Sequence, residues 1–183
     1  MNIPFYINIA LFVHIVSFII GFGAVIVIDS FGLLWLLKKT KFAFVMDVAN
    51  VTQKLIWLGW VGLVASGSIM LFWKGHIDNL MWIKLFLVLM VGINGVFLHR
   101  IKKSFESLSG DEQITNQHKF RIGLASSISQ LGWWGALTIG YFHHNISHVI
   151  NWPNQSFFII GVVVVFILFA AGAGEYLARQ SAP

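Results

Sequence analysis

Apolar residues in this chain gather into five long runs, separated by short polar breaks: about 4–37, 55–73, 80–98, 120–150 and 157–177. Each reaches the ~17–25 residues that carry a helix across hydrocarbon. The pattern therefore predicts an all-α integral membrane protein, a bundle of five transmembrane helices forming one domain over residues 1–183. The first run is longer than a bilayer requires, so a tilt or a protruding end is expected. It also lacks a basic lead and outlasts the core of a signal peptide, so it is expected to remain as a spanning helix. Trp152 and Pro153 are the first firm stop after the fourth run, and the Ser-, Gly-, Asp-, Glu- and Gln-bearing stretch 101–119 reads as a solvated loop.

Composition excludes a soluble domain of any size. With 57% hydrophobic and 10% charged residues, too little polar side chain remains to cover a water-facing surface. Residues 1–28 and 122–150 contain no Asp, Glu, Lys or Arg at all. The net charge of +5 does not point to nucleic acid, because the basic residues sit in short segments beside apolar runs. Lys38, Lys39, Lys41, Lys54, Arg100, Lys102, Lys103, Lys119, Arg121 and Arg179 fall on one side of the predicted topology, and only Lys74 and Lys84 on the other. The positive-inside rule then puts the amino terminus outside and the carboxyl terminus in the cytoplasm of a cell whose inner membrane the protein crosses several times. Trp57, Trp73, Trp82 and Trp152 stand near run ends, where indoles anchor at the interface.

There is no cysteine, so any metal must be held by His, Met or carboxylate. Five of the seven histidines, His14, His76, His143, His144 and His148, gather toward the outer side. His14 is expected roughly 10–15 Å below the outer boundary, and His143 about 10 Å deep if the fourth helix reaches Ile150. His143 shares a face with Gly140, Ala136, Gly132 and Ser129, while His14 stands above Ser17, Gly21 and Ala24. Gly59, Gly62 and Ser66 of the second run lead up to Met70. Such stripes of small residues fit two purposes: lining a flat macrocycle, or letting helix backbones approach. His144 and His148, four apart, have a metal-binding spacing that an interfacial position explains equally well. Met70, His76 and Met81 around the second outer loop suit Cu(I), although Met also fills gaps in apolar helices. Toward the inner face stand Asp29, Asn94, His99, Ser126 and Gln130, with Gln53 and Lys54 entering the second run. Asp29 at its depth must be protonated, paired or hydrated, with Lys54, His99 or Gln130 as candidate partners, and it serves either a proton relay or helix register.

Two stretches carry a family resemblance. "LFVHIVSFIIGFGAVIVIDSF" (11–31) resembles the histidine-bearing opening helix of the CopD-type copper-resistance membrane domain and of the related HemJ-type protoporphyrinogen oxidases. "WIKLFLVLMVGINGVFLHRIKKSF" (82–105) resembles a helix of that domain through Lys84, Asn94 and Arg100, and "RIGLASSISQLGWWGALTIG" (121–140) extends the likeness to roughly two-thirds of the chain. The resemblance implies a small helical bundle associated with copper movement or with b-type haem, and His14 is the position that carries over. The HemJ-type pattern has a histidine where this chain has Asn94 or Gly95, so no enzymatic role is transferred.

Three functions follow as expectations. In the first, His14 and His143 are axial ligands of a haem b near the outer face, lined by Gly140, Ala136 and Gly21, and the protein transfers electrons. In the second, Met70, His76, Met81, His143, His144 and His148 collect copper or another metal ion and His14 passes it inward; only Ser17 offers a polar side chain between His14 and Asp29, which counts against easy passage. In the third, the polar residues hold helices together in an accessory subunit of a larger complex. The expected partners are the lipid bilayer, with a redox partner, other membrane subunits or a second copy compatible with it, and no nucleic acid.

Overall fold

The computed structural model describes residues 4–105, 114–145 and 154–180. They form five helices, α1 (Phe5–Leu36), α2 (Phe42–Lys74), α3 (Asn79–Phe105), α4 (Asn116–Asn145) and α5 (Ser156–Gln180), and no strand occurs among the described residues. α1, α2, α3 and α5 are long and apolar enough to cross a membrane, which makes this a multi-pass membrane protein. α4 is as long but more polar, with Ser126, Ser127, Ser129 and Gln130 in its first half. The expected continuation of the fourth helix to Ile150 and the stop at Trp152 and Pro153 lie outside the described residues.

α2 begins thirteen positions before the expected residue 55, directly after a four-residue break that follows Leu37. Asp47, Asn50, Gln53 and Lys54 interrupt the apolar run, yet Phe42, Val45 and Thr52 still recur on one buried side. Hydropathy finds the part of a helix that lipid covers, whereas the helix itself persists while its buried side has something to pack on. α3 likewise continues through Arg100, Lys102 and Lys103 to Phe105, past the expected end at 98.

The chain divides into two compact units, Met1–Ile77 and Asp78–Pro183. In the first, α1 and α2 run antiparallel along a seam of small residues. Ala10, Ser17, Gly21 and Ala24 are its buried positions on α1, and Gly59 and Ser66 answer them from α2. At Gly59 the backbones come so close that a Cβ would stand 2.6 Å from Cα of Gly21, and one at Gly62 would collide with the Ser17 hydroxyl. Contacts at this range gather dispersion energy, which drives helix association where lipid supplies no hydrophobic force.

The hairpin closes through a Schellman turn: Lys39 N–H donates to Leu34 O and Lys38 N–H to Trp35 O, both at 2.8 Å. Lys38 takes the left-handed conformation (φ 58°) that glycine usually fills there. Two aromatic pairs clasp the turn, Trp35 with Phe42 at 5.0 Å and Phe31 edge-on to Phe44 at 5.3 Å.

In the second unit α3 and α4 pack antiparallel and α5 lies against both. Asn94, 6% exposed, donates from Nδ2 to Ala125 O at 2.7 Å. A Cβ at Gly132 would strike Val91, and one at Gly135 would stand 2.7 Å from Leu87. At the other end of α4, Arg121 grips Glu175 of α5 with Nε at 3.1 Å and Nη2 at 2.5 Å, Gln117 donates to the same carboxylate, and the Phe120 ring covers Gly174.

Gly59→Val should cost about 1–3 kcal/mol through overpacking against Gly21, read as a lower unfolding midpoint in detergent. Gly23→Ala, where a Cβ meets nothing within 4 Å, should leave the midpoint unchanged or raise it. Lys38→Gly should stabilise the hairpin by about 1 kcal/mol, because it relieves the left-handed strain, in the same measurement.

Candidate functional site

His14 lies roughly 14 Å along α1 from its first residue, half-buried on the side that faces α2. Its Nδ1 is 3.0 Å from Ser66 Oγ, and the Ser66 hydroxyl itself donates to Gly62 O at 2.5 Å. With the serine proton committed to that carbonyl, the imidazole must be the donor, so the neutral ring carries its hydrogen on Nδ1 and its lone pair on Nε2. Gly67 keeps α2 clear of the ring: a Cβ there would already stand 3.4 Å from His14 Cε1. A histidine oriented through one nitrogen, with its basic nitrogen defined, is the arrangement that precedes metal ligation or proton acceptance.

His143 has a different partner. Its Nε2 donates to Asp78 Oδ2 at 2.7 Å, with the carboxylate 3% and the imidazole 27% exposed. Asp78 also caps α3, accepting from Met81 N at Oδ1 over 3.0 Å. One side chain thus ends a helix and tethers the next. Ligation by His143 through Nε2 would displace Asp78, and Nδ1, beside the Cβ, is the more crowded nitrogen.

The small-residue stripes turn out to be packed. Gly21 carries the backbone contact with Gly59, so the space beside it belongs to α2. On α4, Ser129 and Gly132 are buried, Gly132 meets Val91, Ala136 is half-buried, and Gly140 lies beside the Lys84 ammonium. An apolar groove of about 670 Å³ does open between α1 and α2, lined by Gly23, Ala24, Val27, Asp47 and Val51 among others. It stands on the far side of the Gly21–Gly59 crossing from His14, so it is not a chamber for a group bound there.

Of the other candidates, Met70 is half-buried near the end of α2, and His76 is exposed in the following loop with Nδ1 3.2 Å from Lys74 O. His144 belongs to α4, and His148 lies outside the described residues. No group of three His, Cys, Asp or Glu residues poised to hold a metal occurs among the described residues. Asp29 is half-buried on α1 in the first unit; Asn94 (buried), His99 (exposed) and Gln130 (half-buried) belong to the second. Asn94 spends its amide on Ala125 O and thereby joins α3 to α4.

The sequence reading did not single out Asp78 or the Gln117–Arg121–Glu175 cluster. An Asp immediately before an apolar run is a helix-start signal, and a Glu inside the apolar fifth run calls for a partner; both cues were present. Comparison with protein-family models, with curated proteins and with solved structures gives no match.

Asp78→Ala should lower stability by about 1 kcal/mol for the lost cap alone, and further for the His143 tether. Asp78→Asn, which keeps an acceptor for Met81 N, should lose less. Unfolding midpoints of the two variants in detergent check the order.

Proposed function

We propose that the protein is a membrane-embedded b-type haem protein that transfers electrons, in which His14 would hold the haem. The observation that carries this is the Ser66 contact: a histidine deep in an apolar helix pair is locked into the tautomer whose lone pair sits on Nε2. His143, in the second unit, is held by Asp78 through Nε2. A haem bound at His14 would supply reversible one-electron chemistry. The chain's own part would be to orient the His14 imidazole and set its basicity through Ser66. The resemblance to CopD-type and HemJ-type membrane domains agrees with this role for His14.

In this reading all five helices span the inner cell membrane, with the amino terminus outside and the carboxyl terminus in the cytoplasm. α4 earns its place among them because it has no Asp, Glu, Lys or Arg beyond Arg121 and lies along α3 from Asp78 to Asn94. The basic residues of the α1–α2 hairpin and of the α3 and α4 ends then all face the cytoplasm.

A second reading has an observation of its own. His143 and Asn94 are both engaged in joining α3 to α4, and Leu87 and Val91 fill the glycine positions of α4. Polar groups used this way suit an accessory subunit that binds no cofactor.

Optical spectra separate the two. The protein purified from cells with ample haem should show a Soret band that sharpens on reduction, lost in His14→Ala. Ser66→Ala should weaken haem retention about 10- to 100-fold, as loss of an orienting partner does. A wild-type protein with no Soret absorption would overturn the haem reading.

A further inference from the structure

Lys84 is a charged side chain to which nothing above gives a task. It stands in the second turn of α3, roughly 8 Å from the helix start, part-buried in an otherwise apolar stretch. Side chains on a helix lean toward its amino end, so the flexible stem carries the ammonium toward the Asn79 end of α3, the end nearer the membrane surface. There Nζ meets α4 at Gly140, where a Cβ would stand 3.5 Å away.

Among the described residues no carboxylate forms an ion pair with this ammonium. Asp78 and Glu175 are the two carboxylates among the described residues of this unit, and both are committed elsewhere, Asp78 to His143 and Met81 N, Glu175 to Arg121 and Gln117. A cation in a helix seam of low dielectric needs a counter-charge. On α4 around Gly140, Leu137 is 39% and Tyr141 61% exposed.

We infer that the α3–α4 seam at Lys84 and Gly140 binds the phosphate of a membrane phospholipid. The ammonium supplies the charge, and Tyr141, next to Gly140 on α4, has an exposed ring. The site does not depend on haem: it uses a different side chain and a ligand that the bilayer always provides.

The test compares wild type, Lys84→Met, Lys84→Arg and Gly140→Asp, delipidated in detergent and then titrated with phosphatidylglycerol, with bound lipid counted by native mass spectrometry. Wild type and Lys84→Arg should hold one lipid more tightly than the other two, by about five-fold or more. Gly140→Asp should release it because the new carboxylate satisfies the ammonium internally. Competition by millimolar inorganic phosphate tells the sources apart: displacement means that the phosphate alone is recognised, and no displacement means that the acyl chains contribute. Equal lipid retention in wild type and Lys84→Met overturns the inference. Should Lys84→Met fail to fold, full retention in Gly140→Asp does the same.

Discussion

In an apolar medium a polar side chain has no water to turn to, and that constraint organises both units of this protein. Several buried or part-buried polar side chains find partners on the same helix or on a neighbouring one. Ser66 turns to Gly62 O and His14, Asn94 to Ala125 O, Asp78 to Met81 N and His143. Such bonds require helices to come close, and glycine makes that approach available. Gly59 admits the backbone of α1, Gly132 admits Val91, and Gly135 admits Leu87. Small residues and polar contacts are therefore two halves of one solution: the former bring the helices together, and the latter fix their register.

The same contacts set the chemistry of the histidines. A proton placed on Nδ1 of His14 by Ser66 defines Nε2 as the basic atom, whereas Asp78 holds the proton of His143 on Nε2. Two residues of one type thus leave folding with opposite nitrogens committed. The haem reading rests on His14 for this reason. The stripes that suggested a macrocycle surface are filled by protein: α2 at Gly21, Val91 at Gly132.

Long apolar runs announced helices in a membrane, and the structure has five helices, four of them apolar enough to cross. The interior ends were harder to place. Residues 42–54 and 99–105 are polar enough to end a hydropathy run, yet they continue helices, because a helix needs only one apolar side to persist. His14 and His143 stood out as ionisable groups in apolar surroundings. Ser66 appeared as one member of a small-residue stripe, and Asp78 did not appear at all, since nothing in a linear pattern joins position 78 to position 143.

By itself the sequence determined what depends on composition along the chain: a lipid environment and helices long enough to cross it. Those properties sum over many residues and need no knowledge of neighbours. The tertiary structure alone decided which nitrogen of each histidine is engaged, that Asp78 serves α3 and α4 together, and that the glycine stripes are seams between helices. Each of these is a contact of a few ångströms between residues up to 65 positions apart, and only the folded chain brings such residues within reach.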